Sequence, residues 1–213
     1  MRYQSGEVQN AEERGRLGEG MLGQSQDIKP ISTVCILGGG TAGWMSAAGL
    51  AAKLPNLSIT LIESEQIGTV GVGEATLPHI RFFNQTLGID EAEFMRATRA
   101  TFKMGIEFVD WGRLGDAYLH PFGDFGEPID GVDFHHLWNR QRLAGHDGCL
   151  FDYSYPVVSA KAGRFHHPDP DPSKIESTFG YAYQFDSGRY AAFLRNYAEA
   201  RGVKRVEGRV VHV

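Results

Sequence analysis

A short stretch around residue 40 constrains the fold more than any other part of the sequence. A continuous apolar run over residues 34–37 stops at three consecutive glycines, and helix-forming residues then continue over 42–54 until Pro55. A second aliphatic run follows over 57–62. Strand, tight turn, helix and strand within about 30 residues predict a βαβ unit with parallel strands. The chain is therefore expected to have an α/β fold.

The glycine turn has the spacing of a dinucleotide-binding motif. Gly38, Gly40 and Gly43 follow the pattern G-x-G-x-x-G, and Glu63 stands twenty residues later at the end of the second strand. The first glycine permits the turn, the second lets the backbone approach a pyrophosphate, and the third brings helix and strand together. Glu63 is expected to accept hydrogen bonds from ribose hydroxyls. Because FAD and NAD carry the same ADP half, the motif alone leaves both cofactors open.

Composition excludes several other classes of protein. The 213 residues are 42% hydrophobic and 22% charged, which is typical of a globular chain that folds in water. Since 21 Lys and Arg stand against 26 Asp and Glu, the formal net charge is -5 and nucleic acid is not an expected partner. No apolar run approaches a membrane span. Cys35 and Cys149 have no paired spacing, so we expect free thiols and a cytoplasmic location.

The sequence divides into two parts. Residues 1–30 have no apolar stretch long enough for a signal peptide and are predicted to form a flexible arm. Residues 31–213 are predicted to be the folded region. Helices are expected over 78–87, 90–100 and 186–201, and strands over 103–111, 118–122 and 203–213. Asp186 is a candidate N-cap and Gly202 a candidate C′ residue of the third of these helices. Because the sequence stops within a predicted strand, it is expected to be truncated.

Several motifs together resemble the flavin-dependent tryptophan halogenase family, from Ile31 to Val213. They are Gly38-Gly39-Gly40-Thr41-Ala42-Gly43-Trp44-Met45, Leu61-Ile62-Glu63-Ser64, Val70-Gly71-Val72-Gly73-Glu74-Ala75-Thr76, Phe82-Phe83, Leu87-Gly88-Ile89, Phe102-Lys103-x-Gly105-Ile106, Phe108-x-x-Trp111 and His120-Pro121-Phe122-Gly123, with Phe185-Asp186 and Arg201-Gly202-Val203 near the end. The resemblance implies a truncated, Rossmann-like FAD-binding domain of the flavin monooxygenase/halogenase type, with the start of a substrate-binding region.

The resemblance also implies a reaction. A separate flavin reductase supplies reduced FAD, oxygen converts it to a flavin hydroperoxide, and chloride or bromide attacks this to give hypohalous acid. Lys103 matches the catalytic lysine, which captures the halogen or activates the acid toward an indole. His120 and Phe122 match a pair that sandwiches the indole. Without the resemblance, the neighbours of Lys103 favour a surface lysine, and His120 with Phe122 is an ordinary strand edge.

The resemblance assigns the cofactor contacts as well. Residues expected to bind FAD are Gly38, Gly40, Thr41, Ala42, Gly43, Glu63, Val72, Gly73, Glu74, Ala75 and Val210, the last from within the final strand. No metal site is expected, because the pairs His135-His136 and His166-His167 point to different faces and belong to surface loops.

One family signature is missing from the sequence. Trp-x-Trp-x-Ile-Pro does not occur, so we expect the 213 residues to be inactive alone as the N-terminal part of a halogenase. Two alternatives stay open: an FAD-dependent monooxygenase that inserts oxygen, or a non-catalytic flavin-domain remnant. A homodimer, the substrate and the site of halogenation are also open.

Overall fold

The computed structural model describes residues 29–67 and 72–212. The chain separates into two compact units, Met1–Ser32 and Thr33–Val213. Of the first unit, the described residues 29–32 are exposed and have no regular secondary structure. The predicted arm at 1–30 lies almost wholly outside the described residues and stays a prediction. Within the part of the chain that is described, no helix is long and apolar enough to cross a bilayer.

The second unit is a mixed α/β structure. Its strands are β1 (Thr33–Leu37), β2 (Ser58–Glu63), β3 (Gly73–Ala75), β4 (Thr101–Lys103), β5 (Gly105–Val109), β6 (Ala117–Pro121), β7 (Ala182–Asp186) and β8 (Lys204–Glu207). Its α-helices are α1 (Thr41–Lys53), α2 (His79–Thr86), α3 (Glu91–Thr98), α4 (Phe134–Leu143), α5 (Tyr155–Lys161) and α6 (Ser187–Glu199). Short 3-10 helices cover Leu150–Tyr153 and Ile175–Thr178.

The predicted βαβ unit is confirmed. Strands β1 and β2 pair in parallel, with Thr33 opposite Ser58, and β8 adds to the other side of β2, with Thr60 opposite Lys204. Helix α1 connects β1 to β2 and packs against α6. The strand order β1-β2-β8 leaves β1 at an edge of this sheet. Exposed and partly buried residues alternate along β1, and Cys35 is on its exposed face.

Two further sheets are antiparallel. In the first, β7 lies between β3 and β4, and in the second β5 pairs with β6. The single strand predicted over 103–111 is therefore wrong, because the chain changes partners at Met104. There the Met104 carbonyl accepts a hydrogen bond from the Phe122 amide at 2.8 Å. The local pattern of apolar residues cannot reveal such a change of partner.

The three predicted helices form at α2, α3 and α6, and capping explains both ends of α6. The Asp186 carboxylate accepts a hydrogen bond from the Arg189 amide at 2.9 Å, which confirms it as N-cap of α6. Gly202 has a φ of +88°, and its amide donates to the Glu199 carbonyl at 3.0 Å. The Val203 amide donates to the Ala198 carbonyl at 3.2 Å, which completes a Schellman ending.

The strand predicted over 203–213 is wrong in length. Strand β8 stops at Glu207, and residues 208–212 have no regular structure. Its partner β2 ends at Glu63, whose carbonyl accepts a hydrogen bond from the Gly208 amide at 2.8 Å. Beyond that point β2 offers no backbone groups to pair with.

Aromatic packing ties the two larger sheets together through α3 and α6. The fully buried Phe94 of α3 contacts the rings of Tyr183, Phe185 and Tyr190 edge-on, at centroid distances of 4.9 to 5.5 Å. Edge-to-face pairs of this kind add to the free energy gained by burial alone. This core holds β7 and the start of α6 in fixed positions next to the glycine turn.

Candidate functional site

The glycine turn that follows β1 has the geometry its spacing predicts. The Gly38 amide donates to the Ile62 carbonyl at 2.8 Å, and Gly38 has a φ of +107°, which side chains rarely tolerate. A Cβ on Gly43 would lie 1.9 Å from the Gly38 carbonyl oxygen. The first and third glycines are thus required by the protein's own backbone.

Gly40 differs from these two glycines. Its φ of −71° suits any residue, and a Cβ built on it meets no atom within 4 Å. It stands at the N-terminus of α1, where no side chain caps the free amides and the first turn holds no acidic residue. Open space beside free backbone donors and a positive helix end fits the phosphates of a dinucleotide.

Gly39 has a separate role that the sequence did not reveal. A Cβ at this position would lie 1.4 Å from Oε2 of Glu63, so the glycine makes room for that carboxylate. Glu63 therefore sits directly over the turn. Its side chain is only 15% exposed.

The turn and the Glu63 side chain line a cleft of about 420 Å³. The opposite wall comes from α6 and includes Gly188, Ala191 and Arg195. Free backbone amides of the turn line the cleft together with a carboxylate that can accept hydrogen bonds from ribose hydroxyls. These residues fit the ADP half of FAD.

Three side chains hold the Glu63 carboxylate. Arg205 Nε donates to Oε1 at 2.5 Å, and Trp44 Nε1 donates to Oε2 at 3.3 Å. A guanidinium nitrogen of Arg195 lies 3.7 Å from Oε1. None of the three was predicted from the sequence to belong to the site, because two of them are more than 130 positions away from Glu63.

Residues 72–75 lie beside this site and contact the start of α6. Gly73, Glu74 and Ala75 form β3, paired with β7. The buried Ser187 hydroxyl donates to the Val72 carbonyl at 2.8 Å and accepts from the Val72 amide at 3.1 Å. The Ser187 carbonyl accepts a hydrogen bond from the Thr41 hydroxyl at 3.3 Å. Ser187, which sequence analysis missed, thus connects the first residue of α1 to the segment 72–75.

Lys103 is a buried residue. Its side chain lies at the end of β4, the residue is 8% exposed, and Nζ donates to the Thr76 carbonyl at 2.9 Å. Nζ also lies 5.2 Å from the centroid of the Phe122 ring. Burial lowers the pKa of Lys103 from its ordinary value. The surface lysine that its sequence neighbours favour is therefore wrong.

Thr76 is itself held firmly. Its hydroxyl donates to the Tyr183 carbonyl at 2.8 Å and accepts from the Tyr183 amide at 3.2 Å. The Tyr183 and Tyr181 hydroxyls both donate to Oε1 of Glu91, at 2.5 and 2.6 Å. Burial and these bonds raise the pKa of Tyr181 to about 12. Although burial acts to raise the pKa of Glu91, hydrogen bonds from the two tyrosines and His167 give a net lowering.

Comparison with known proteins identifies the family. The family profile described as tryptophan halogenase matches residues 33–213. The chain belongs to the tryptophan halogenase family. The curated tryptophan 6-halogenase ThaL of Streptomyces albogriseolus is 37% identical over 205 residues, covering 86% of this chain and 37% of that protein. The tryptophan 7-halogenase RebH of Lentzea aerocolonigenes is also 37% identical, over 204 residues, with the same coverage.

Solved halogenase structures confirm the fold. BrvH, a flavin-dependent halogenase from Brevundimonas sp. BAL3, is 44% identical with a TM-score of 0.79, covering 85% of this chain and 36% of that one. Another from Xanthomonas campestris is 45% identical with a TM-score of 0.78, at the same coverage. The predicted Rossmann-like fold of the flavin halogenase type is thus confirmed. The chain spans about 37% of the length of the curated halogenases it matches.

The halogenase resemblance also pointed to His120, Phe122 and Val210. Phe122 is half-buried, and its ring lies next to Lys103. His120 is exposed on β6, opposite Ile106. Val210 is exposed and lies three residues beyond β8, so its placement within a strand is wrong. The roles given to these residues stay predictions.

The histidine pairs differ from expectation in one case. His135 and His136 belong to the first turn of α4 rather than to a loop, and their ring centroids are 3.9 Å apart. With Asp133 they place three potential ligand atoms within 4.8 Å of one another, all exposed. The two histidines were expected to point to different faces. This is wrong for His135 and His136, because exposed side chains at the start of a helix can turn toward each other. His166 and His167 are exposed loop residues, as predicted.

Proposed function

We propose that this chain provides the FAD-binding core and the catalytic lysine of a flavin-dependent halogenase that acts on tryptophan or another indole. The observation that carries the proposal is the buried Lys103, whose Nζ contacts the Thr76 carbonyl. Thr76 directly follows β3, so the lysine lies at the end of the segment that begins beside the dinucleotide cleft. The chain would thus connect the cofactor and the reacting amine through the three residues of β3.

FAD is the cofactor that the site fits. Amides at Gly40, Thr41 and Ala42 would bind the pyrophosphate, with Gly38 and Gly43 shaping the turn. Glu63 would accept hydrogen bonds from the ribose, Val210 would contact the adenine, and the segment Val72–Ala75 would lie along the flavin. When bound in its reduced form, FAD supplies the electrons that activate oxygen toward a halide ion.

Lys103 has two chemical options with hypohalous acid. As a free amine it would attack the halogen, forming an N–halogen bond and releasing water. As an ammonium it would donate a hydrogen bond to the acid and increase the electrophilic character of the halogen. Because burial lowers its pKa, the amine form becomes accessible closer to neutral pH than for an exposed lysine.

An aromatic substrate is supported by the surroundings of Lys103. The Phe122 ring beside Nζ offers a flat apolar face, on which an indole would stack, with the His120 imidazole as the second face. A relative called a tryptophan 6-halogenase and one called a tryptophan 7-halogenase are both 37% identical to this chain. Overall identity therefore does not select the ring position that would be halogenated.

The cellular setting follows from the same proposal. Reduced FAD would come from a separate flavin reductase, by diffusion or transient contact. Cys35 and Cys149 are free and exposed, which supports a reducing, cytoplasmic compartment. We keep the division into an arm over 1–30 and a flavin-domain portion over 31–213 as part of the proposal.

The decisive experiment begins by reading the gene beyond the codon for Val213. We expect an open frame that encodes Trp-x-Trp-x-Ile-Pro. The whole gene product is then supplied with reduced FAD, oxygen, an indole, and either chloride or bromide, and the products are analysed by mass spectrometry. We expect a halide-dependent product that Lys103→Ala abolishes while FAD stays bound, and that the exposed control Lys161→Ala retains.

Other results would support the two alternatives. An oxygenated product that forms equally well without halide would indicate a monooxygenase. A stop codon directly after Val213, together with no product from any combination of reagents, would indicate a non-catalytic flavin-domain remnant.

A further inference from the structure

A single guanidinium group donates hydrogen bonds to three carboxylates at the edge of the dinucleotide cleft. Arg205 on β8 donates from Nε to Glu63 and from a terminal nitrogen to Glu65 and Glu207, at 2.7 and 2.6 Å. The Arg205 side chain is 15% exposed, whereas those of Glu65 and Glu207 are 71% and 46% exposed. The cation is thus shielded from water, and two of its partners are not.

Glu63 is the partner that faces the cleft. Its two oxygens each accept one close hydrogen bond, from Arg205 and from Trp44. A carboxylate oxygen has two lone pairs, so both oxygens retain an acceptor site. The arrangement fixes the direction of the carboxylate over Gly39 without using up its capacity to bind a ligand.

We infer that Arg205 is a positioning residue for nucleotide binding, which holds Glu63 so that it accepts hydrogen bonds from the ribose hydroxyls of an adenosine diphosphate group. The inference rests on the proposed function, in which the cleft binds the ADP half of FAD. Arg205 itself need not touch the nucleotide. Its contribution is to orient a carboxylate whose charged neighbours would otherwise repel it.

Electrostatics explains why an arginine is needed at this position. Glu63, Glu65 and Glu207 come together where the neighbouring strands β2 and β8 end, and like charges at such distances repel. Without the guanidinium, the Glu63 side chain would be expected to rotate toward water, away from its place over the turn. A planar guanidinium has donors on several edges and can serve three carboxylates at once, whereas a lysine ammonium is a point charge.

The neighbouring Arg195 does not take the place of Arg205 as a hydrogen-bond donor to Glu63. Its closest approaches to Glu63 and Glu65 are 3.7 and 3.9 Å, beyond hydrogen-bond distance, and its short contact is with Glu199 of its own helix, at 3.2 Å. Arg195 adds positive charge to the cleft, but Arg205 fixes the orientation of the Glu63 carboxylate.

The test compares ADP with 2′,3′-dideoxy-ADP, which lacks both ribose hydroxyls. Binding of each nucleotide to the 213-residue chain is measured by calorimetry for the wild type, Arg205→Met, Arg205→Lys, Glu63→Gln and the double variant Arg205→Met with Glu63→Gln. Lys204→Met is the matched control, because it removes a positive charge from the neighbouring, exposed position on the same strand.

We expect the wild type and Lys204→Met to bind ADP roughly tenfold more tightly than the dideoxy nucleotide. Arg205→Met should reduce this ratio toward one, as should Glu63→Gln, and the double variant should show no further reduction. Arg205→Lys should give an intermediate ratio, and it keeps the test informative if Arg205→Met does not fold.

The inference is overturned if Arg205→Met and Arg205→Lys weaken both nucleotides equally and leave the ratio at its wild-type value. That result would mean that Arg205 acts only on the fold or on the overall charge. If the wild type binds neither nucleotide, the proposed function fails. An unchanged ratio in a chain that does bind ADP overturns only the inference about Arg205, so the two failures can be told apart.

Discussion

The Lys103 ammonium reaches the Thr76 carbonyl across an intervening strand. Lys103 ends β4 and Thr76 follows β3, and these strands lie on opposite sides of β7. Lys103 is in register with Ala182, and the Thr76 amide donates to the Tyr183 carbonyl at 3.0 Å. The 2.9 Å bond from Nζ therefore spans the sheet and connects its two outer strands through a side chain.

Thr76→Val should loosen this connection. Valine keeps the shape of threonine but loses both hydroxyl hydrogen bonds to the Tyr183 backbone, and we expect the free energy of unfolding to fall by about 1–2 kcal/mol. Labelling of Lys103 by an amine-reactive ester should speed up, because its acceptor is no longer fixed. Thr76→Ser, which keeps the hydroxyl, should behave like the wild type in urea unfolding and in labelling. Equal effects of valine and serine would argue against the role given to the hydroxyl.

Lys103→Met should increase the free energy of unfolding at pH 7. Burial lowers the pKa of Lys103, so the folded state holds its proton less tightly than the unfolded state, and stability rises with pH as the folded group loses that proton. The advantage of the methionine variant should therefore shrink as pH is raised toward 10. Urea unfolding at several pH values tests this. The exposed Lys204→Met should show no such trend, and a methionine variant that is less stable at pH 7 would contradict the prediction.

Two glycine substitutions should separate folding from binding. Gly40→Ala places a methyl group in open space at an ordinary φ, so we expect the free energy of unfolding to change by less than about 1 kcal/mol. Its affinity for ADP should nonetheless fall at least about tenfold, because the methyl group occupies the approach of the phosphates. Gly43→Ala should instead destabilise the chain by about 1–3 kcal/mol through its clash with the Gly38 carbonyl. Undiminished ADP binding by Gly40→Ala would show that the phosphates lie elsewhere.

Glu91→Gln should make stability less sensitive to acid. The pKa of Glu91 is lowered in the folded state despite the opposing effect of burial, because Tyr181, Tyr183 and His167 donate hydrogen bonds to it. The stability this provides is complete above the ordinary glutamate pKa of about 4.3, and it is lost as pH falls through the lowered folded value. Between pH 6 and pH 3, the midpoint temperature of thermal unfolding should fall more steeply for the wild type than for Glu91→Gln. The exposed Glu93→Gln, in the same helical turn, should follow the wild type.

Local signals in the sequence were sufficient for much of the fold. The glycine turn, its flanking strand and helix, and the ends of α6 depend on neighbouring residues, and the structure confirms them. The strand over 103–111 was wrong because its apolar pattern continues through a change of partner at Met104. The final strand was too long because its end is set by β2, far away in sequence.

The site was predicted only in part, because several of its residues depend on contacts with residues far away in the sequence. The role of Gly39 depends on the Glu63 side chain, and that of Ser187 depends on Val72 and Thr41. Neither has a short-range motif that would mark it. Lys103 was found through resemblance alone, since its burial results from packing against β7 and Phe122 rather than from its immediate neighbours.

The hydrogen bond between Glu63 and Arg205 joins positions that are 142 residues apart. During synthesis, the glycine turn and β2 leave the ribosome long before β8 does, and chains generally fold in units as they emerge. The nascent βαβ unit would then carry the Glu63 carboxylate without the arginine that orients it. Cofactor capture would accordingly be delayed until nearly the whole of the unit 33–213 has been translated, and the flavin would act as a late stabiliser of this fold rather than as a template for its first steps.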